Sequence, residues 1–279
     1  MLRTRLLVGF PLAILMGGVL VGDSYLMPYF PCLFLCVAGL GWLAAGEFRA
    51  MLPPADRPHL GLCRAGILAA IAVNWLPLVD DRLRPWPLLA GVVAGVVLVG
   101  FLREMAIFTA PGGHVTRIAH LVLAVGYLGV LPAFLVRLRM ENPADGPWLV
   151  ALAVFVPKCA DIGAYFAGRA FGRTPFAPKL SPKKTWEGFT GGTVLAMTVA
   201  VVVGIYNLRL FPRQMPEAAL FGLLIGTAGV LGDLAESMLK RDAGAKDASA
   251  TVPGFGGVLD VIDSVLFAAP LVYLWFEMR

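Results

Sequence analysis

Long apolar stretches that are almost free of charged side chains recur along the whole 279-residue chain. The strands of a membrane barrel alternate apolar and polar residues, so solidly apolar stretches favour membrane-spanning helices. Only 15% of the residues are charged and 58% are hydrophobic, whereas soluble domains have roughly 25% charged residues. The chain is therefore predicted to be an all-α, polytopic integral membrane protein, which excludes most classes of soluble enzyme.

A requirement of about 20 apolar residues per crossing predicts about nine transmembrane helices. The basic and then apolar N-terminus resembles a secretory signal, but it lacks a clear small-x-small cleavage site and is interpreted as a retained first helix. Residues 1–146 hold spans one to five, and residues 147–279 hold spans six to nine. Together they are expected to form one continuous membrane domain. The spans after the first are predicted at 24–46, 64–79, 85–102, 118–136, 147–168, 188–208, 217–236 and 259–276.

Basic residues concentrate in the cytoplasmic loops of membrane proteins. With the N-terminus inside, the predicted inner segments hold about twice as many Lys and Arg residues as the outer ones. This orientation places the long polar segments 169–187 and 237–257 in the cytoplasm, where they predict a polar cavity in the C-terminal half. The net charge of +5 is attributed to orientation and to anionic head groups, so nucleic-acid binding is not expected.

Charged residues inside the sixth span are the first candidate for a site. Lys158 and Asp161 are three residues apart and share a helix face. Charges at membrane depth are costly, so they normally face a bundle interior or a water-filled cavity on a functional path. A mutually neutralising structural pair is the alternative, and both interpretations require an inward face.

The loop after the sixth span offers several donors for phosphate. Lys183 and Lys184 lie between the hydroxyls of Ser181 and Thr185, and Ser181-Pro182 should interrupt helical structure. Positive-inside bias and interfacial anchoring by Trp186 would also place such residues here. Both interpretations stay open on the residues alone.

Four acids near the last two spans predict a metal site. Asp233 and Glu236 are three residues apart, as are Asp260 and Asp263. Carboxylates without accompanying His or Cys suit hard cations such as Mg²⁺, which also bind substrate phosphates. Favourable placement at a helix N-terminus could explain Asp260 or Asp263, but hardly the whole set.

The C-terminal motifs resemble one enzyme family. Residues 237–241 read S-M-L-K-R, Lys246-Asp247 follows, and residues 253–263 read P-G-F-G-G-V-L-D-V-I-D. This is similar to the pattern S-x-x-K-R-x4-K-D, P-G-H-G-G and D-R-x-D of phosphatidate cytidylyltransferases, also called CDP-diacylglycerol synthases. Upstream motifs at 161–169, 181–188 and 232–237 also resemble the family, so the similarity covers residues 161 to 263.

Two positions depart from the family pattern. Phe255 replaces the usual histidine and Val261 replaces the arginine after the first aspartate. Phenylalanine cannot donate a hydrogen bond, and valine cannot bind phosphate. Any role that the family gives to those two side chains is absent here, although an active enzyme is still expected.

The resemblance implies that CTP and phosphatidate react to CDP-diacylglycerol and pyrophosphate in phospholipid biosynthesis, in a bacterial inner membrane. It implies Mg²⁺ as the cofactor, with room for a second cation. It also implies contact with membrane lipids, and it allows a homodimer. The expected metal ligands are Asp233, Asp260, Asp263 and Glu236. The expected catalytic residues are Asp233, Lys240, Arg241, Lys246, Asp260 and Asp263. The expected substrate-binding residues are Ser181, Lys183, Lys184, Thr185, Ser237, Asp161 and Lys158.

Three other functions stay open at this point. In an ion-coupled transporter, Lys158, Asp161, Asp233 and Asp260 would form an ion path at a broken helix. A related membrane nucleotidyltransferase or phosphotransferase acting on a lipid alcohol would need a base to take the proton of its acceptor. A non-catalytic lipid-binding scaffold is the third alternative, suggested by Phe255.

Overall fold

The computed structural model of the chain describes residues 2–245 and 248–278, with side chains described from Leu7 onward. Within these ranges, nine helical segments are long and apolar enough to cross a membrane. This confirms the predicted all-α, polytopic membrane fold. Lys246, which the sequence places at the site, lies outside the described residues.

Ten α-helices, two 3-10 turns, one π-helical turn and one short hairpin make up the described secondary structure. The fifth and sixth helices are joined by a π-helical turn, Gly126–Val130, and form one span of 28 residues. The elements are α1 (Leu2–Tyr25), α2 (Pro31–Met51), α3 (Leu60–Ala72, continued by a 3-10 turn Val73–Leu78), α4 (Pro85–Ala106), α5 (His114–Val125), α6 (Leu131–Glu141), α7 (Gly146–Phe171), β1 (Pro175–Ala177), β2 (Ser181–Thr185), α8 (Trp186–Tyr206), α9 (Gln214–Asp242) and α10 (Val258–Glu277).

The second span begins at Pro31, and not at residue 24 as predicted. Proline at the first helical position has a suitable φ and lacks only an amide that the helix leaves unpaired. The buried Asp23 carboxylate accepts hydrogen bonds from the amides of Cys32 and Leu33, both at 2.8 Å. Hydropathy alone could not place this boundary, because residues 24–30 are nearly as apolar as the helix that follows.

The chain divides into two compact units. The first contains Met1–Met140 together with Asp247–Asp260. Its core lies where α3 packs against α2, α5 and the π-helical turn, and Ile67 and Ile71 of α3 are fully buried there. The segment 247–260 therefore belongs to this unit although it follows α9 in sequence.

The second unit contains Glu141–Lys246 and Val261–Arg279. Here α7, α8 and α9 pack closely because glycines face neighbouring helices, as is common where packing drives helix association in membranes. A Cβ on Gly192 would lie 2.5 Å from the Ala160 carbonyl oxygen, and one on Gly222 would lie 2.6 Å from the Met197 Cα. Helix α9 continues six residues beyond the predicted end of its span, so its polar C-terminal turns remain helical.

The loop after α7 forms a small antiparallel hairpin that the sequence did not predict. In its register, Pro175 lies opposite Thr185 and Ala177 opposite Ser181. Glu187 stabilises the entry to the hairpin, because its carboxylate accepts hydrogen bonds from the amides of Arg173 and Thr174 at 3.1 and 3.2 Å. The break in helical structure at Ser181-Pro182 was expected, but its strand geometry was not.

Candidate active site

Three of the four predicted acids converge in the second unit. Asp233 and Glu236 lie on α9 and Asp263 lies near the start of α10, and one carboxylate oxygen of each falls within 4.8 Å of the others. Glu236 and Asp263 are buried, whereas Asp233 is half-buried. The structure thus forms a carboxylate cluster, defined here as Asp233, Glu236 and Asp263.

Close packing of two helices brings the carboxylate cluster together. A Cβ on Gly232 would lie 2.5 Å from the carbonyl oxygen of Asp263 and 3.0 Å from the Cα of Ser264. Only a residue without a side chain allows the backbones of α9 and α10 to approach this closely. Gly232 therefore sets the distance between the acids of α9 and Asp263.

Lysine side chains from two other elements reach the cluster. Lys184 on β2 places its Nζ 2.7 Å from Asp233 Oδ2. Lys158 on α7 lies with its Nζ 3.3 Å from Asp263 Oδ1 and 3.7 Å from Asp161 Oδ2. The expected inward face of Lys158 and Asp161 is thus realised, and both residues adjoin the carboxylate cluster.

The polar face of α9 supplies the third lysine. Lys240 forms an ion pair with Glu236, one helical turn away, and Ser237 is buried beside them. Arg241 lies on an exposed part of the helix, where its Nε donates to the Leu180 carbonyl oxygen at 3.4 Å. Arg241 therefore contacts the hairpin turn, whereas Lys240 contacts the acids.

The phosphate-binding candidates on β2 separate into different environments. Lys184 is half-buried and Lys183 is exposed, as expected for adjacent residues that point to opposite faces of a strand. The Thr185 hydroxyl caps α8 by accepting a hydrogen bond from the Gly188 amide at 3.1 Å. Ser181 begins the strand and is half-buried. Of this group, only Lys184 contacts an acid of the cluster in the described residues.

Asp260 has local partners in the first unit. Its Oδ2 accepts hydrogen bonds from the amides of Gly257, at 2.7 Å, and Ala248, at 3.2 Å. The carboxylate thereby closes the loop that precedes α10 and caps the start of that helix. A role for Asp260 as metal ligand stays a prediction.

Glu47 is a site-forming residue that the sequence analysis missed. It lies on α2 and is buried, and its two oxygens accept hydrogen bonds from the amides of Val258 and Leu259, at 3.0 and 2.9 Å, and from the Ser249 hydroxyl, at 2.6 Å. It fixes both ends of the loop that carries the P-G-F-G-G motif. Glu47 lies one residue beyond the predicted span 24–46 but inside the observed α2. A lone acid beside or within an apolar span is costly, and this signal could have identified it.

The donor set of the carboxylate cluster fits a divalent cation. Mg²⁺ binds oxygen at about 2.1 Å, so ligands around one ion lie up to about 4.2 Å apart. The three oxygens lie within 4.8 Å of one another, which is close to this spacing. Hard oxygen donors without nitrogen or sulfur favour Mg²⁺ over zinc or copper.

Comparison with known proteins identifies the family. The sequence profile described as "Cytidylyltransferase family" matches residues 3–278. The chain belongs to this family. The match covers almost the whole chain and confirms the resemblance found in its motifs; it favours a transferase over the transporter and scaffold alternatives.

Individual members of the cytidylyltransferase family show how close the similarity is. A phosphatidate cytidylyltransferase of Pseudomonas aeruginosa is 40% identical over 205 residues, which are 68% of this chain and 71% of that protein. Proteins of the same name from Haemophilus influenzae and Synechocystis are each 40% identical, over 163 and 192 residues. These two matches cover 56% and 60% of this chain but only 57% and 64% of the respective relatives.

Proposed function

We propose that this chain transfers the cytidylyl group of CTP to phosphatidate and releases pyrophosphate, in the manner that the names of its relatives indicate. The observation that carries the proposal is the carboxylate cluster with its three lysine partners, Lys158, Lys184 and Lys240. Such a mixed group of acids and ammonium groups can hold a metal ion and polyanionic phosphates side by side. The family membership of the chain supports the same reaction.

The reaction requires positioning rather than a general base. A phosphate oxygen of phosphatidate attacks the α-phosphorus of CTP, and the bond from this phosphorus to the bridging oxygen of the β-phosphate breaks. The electron pair leaves with pyrophosphate, so no group is oxidised or reduced. The second pKa of a phosphomonoester is about 6, so the attacking group is already largely a dianion at neutral pH.

The cluster and its lysines supply what this reaction needs. Mg²⁺ held by Asp233, Glu236 and Asp263 would neutralise charge on the triphosphate and on the leaving pyrophosphate. Lys158 and Lys184, which are adjacent to the acids, bind phosphate oxygens and reduce the repulsion between the two anionic substrates. This phosphate-binding surface is proposed to extend further over α9 and β2. Its additional members are Lys240, Arg241 and Ser237 of α9 and Ser181, Lys183 and Thr185 of β2.

We further place the site at the cytoplasmic face of a bacterial inner membrane. Support comes from the distribution of Lys and Arg residues along the chain and from the nine apolar spans. Carboxylates do not lie bare in lipid, so a water-filled opening must surround the inner ends of α9 and α10. The acyl chains of phosphatidate then remain in the bilayer while CTP enters from the cytoplasm.

The proposal is tested with purified protein, CTP, dioleoyl phosphatidate and Mg²⁺, by measuring CDP-lipid and pyrophosphate in equal amounts. Asp263→Asn is expected to lower turnover at least 100-fold, because it removes a charged ligand from the cluster. Asp242→Asn is the matched control, since Asp242 is exposed on α9 outside the cluster. Absence of product from the intact protein, or equal activity of both variants, would refute the proposal.

The same assay distinguishes a lipid phosphate from a lipid alcohol as the acceptor of the cytidylyl group. Replacing phosphatidate by diacylglycerol or a polyprenyl alcohol removes the ionised phosphate and should abolish product, because an alcohol needs a base to take its proton whereas the ionised phosphate needs none. Product from an alcohol alone would instead assign the chain to another lipid substrate.

A further inference from the structure

An apolar groove runs along the first unit between α3 and α4. Its lining includes Leu62, Ala65 and Ala69 of α3 and Val92, Gly95 and Val99 of α4, and it encloses about 260 Å³. All of these residues lie within membrane-spanning helices, so the groove faces lipid rather than water. The small side chains of Ala65, Ala69 and Gly95 create its depth.

One end of the groove adjoins a cationic cluster. A small recess lined by His59, Arg103, Glu104 and Arg117 shares Leu62 and Leu121 with the groove lining. These polar residues lie at the start of α3, the end of α4 and the start of α5, which is the same end of three neighbouring helices. The groove therefore has an apolar body and one polar end.

The polar end carries excess positive charge. Glu104 accepts from Arg103 Nη1 at 2.5 Å and from Arg117 Nη2 at 2.7 Å, so one carboxylate balances two guanidinium groups. The Arg103 side chain is 32% exposed, and Glu104 is its only side-chain partner among the described residues. The remaining donors of Arg103 are thus available to an anion at the mouth of the groove.

The groove and its polar end together span about one leaflet of a bilayer. Arg103 and Val92 are 11 residues apart on α4, which corresponds to about 16 Å at 1.5 Å per residue. Half of the hydrocarbon core of a bilayer is about 15 Å thick. A lipid whose phosphate contacts Arg103 would lay its acyl chain along Val99, Gly95 and Val92 without crossing into the other leaflet.

We propose that the groove binds one anionic phospholipid, with an acyl chain between α3 and α4 and the head-group phosphate at Arg103. Charge complementarity at one end and the match in length along the rest identify the occupant as a lipid of the leaflet that contains Arg103. All residues of this lipid site belong to the first unit, whereas the carboxylate cluster belongs to the second. The proposal does not rest on the proposed cytidylyltransferase reaction.

Gly95→Leu tests the apolar body of the lipid site. A Cβ at Gly95 meets no atom within 4 Å, so leucine fills the groove without displacing the helix. Gly91→Leu, one turn away on the same helix, is the matched control, because Gly91 is also free of contacts and lies outside the lining.

Arg103→Gln tests the polar end. Arg84→Gln, at the opposite end of α4, is its control for the loss of one positive charge. A basic residue near anionic head groups contributes a binding energy equivalent to about a fivefold change in affinity. Arg103→Gln should therefore weaken binding of an anionic lipid about fivefold and Arg84→Gln should leave it unchanged.

Native mass spectrometry provides the measurement. Purified protein is titrated in detergent with dioleoyl phosphatidylglycerol or with dioleoyl phosphatidylcholine, and bound lipids are counted. Wild-type protein should retain phosphatidylglycerol preferentially, and Gly95→Leu should reduce this binding at least tenfold relative to Gly91→Leu. Equal retention by the two glycine variants, equal binding of both lipids, or loss of a protein dimer with unchanged lipid binding would overturn the proposal.

Discussion

Replacing Glu47 by alanine tests whether the loop before α10 must be held in place for catalysis. Glu47 accepts hydrogen bonds from the amides of Val258 and Leu259, and both of these residues are buried. Leaving a buried amide without an acceptor costs about 1–3 kcal/mol, so the observed loop conformation loses about 3 kcal/mol. The third donor, Ser249, is half-buried and adds little.

If turnover requires the observed loop conformation, this loss of free energy lowers activity in proportion to the population of that conformation. A free energy of 3 kcal/mol corresponds to about a 150-fold change in population. We therefore expect Glu47→Ala to lower kcat about 100-fold, with a smaller effect on the KM for CTP, since the hydrogen-bond partners of Glu47 among the described residues all lie in the first unit. Asp260 would be displaced, because the loop that supplies its amide partners is no longer fixed.

The assay is CDP-lipid formation by purified variants, with size-exclusion profiles to confirm folding. Glu47→Gln retains one acceptor oxygen but turns a second amide donor toward the loop, so about a tenfold loss is expected. Ser249→Ala removes only the half-buried donor and should remain within threefold of wild type. A folded Glu47→Ala variant with activity within threefold of wild type would refute the reasoning.

Two further predictions concern the second unit. Lys184→Gln removes the ammonium group beside the carboxylate cluster and should lower kcat/KM at least tenfold. Lys179→Gln, which removes an exposed ammonium group from the turn of the same hairpin, should change kcat/KM less than threefold; equal effects of the two variants would show that contact with the cluster is irrelevant. Gly232→Ala inserts a Cβ 2.5 Å from the backbone of α10 and should destabilise the protein by about 1–3 kcal/mol, which is measured as a lower thermal midpoint. Gly18→Ala is the control, because a Cβ there meets no atom within 4 Å, and it should leave the midpoint unchanged. A similar midpoint for both variants would contradict the close packing of α9 and α10.

The fold was predictable from the sequence to the extent that it follows from hydropathy. Each of the nine spans was predicted because a membrane helix must be apolar over its whole length. Their boundaries were less predictable, since they depend on local bonds such as the capping of α2 by Asp23. The turn before Pro31 contains apolar residues and has no hydropathy signal of its own.

The candidate site was predictable where its members share a helix. Asp233, Glu236 and Lys240 follow one another at helical spacing on α9, so their proximity can be inferred from the sequence. The approach of Lys184 to Asp233 could not be inferred from the sequence, because it depends on the register of an unpredicted hairpin. The contact of Glu47 with Leu259 joins residues 212 positions apart, and no local pattern reports such a separation.

The charge balance of the site explains how one set of side chains can be compatible both with a membrane and with polyanionic substrates. Buried carboxylates near a bilayer need counter-charges, and three lysines here partner four acids, which leaves one formal negative charge. A divalent cation would change the sign of this balance to positive, as two negatively charged substrates require. Under the proposed function, the lysines that neutralise acids in the free protein would bind phosphates during the reaction, so removing one of them should weaken substrate binding as well as the fold. The acids are Asp161, Asp233, Glu236 and Asp263, and the lysines are Lys158, Lys184 and Lys240.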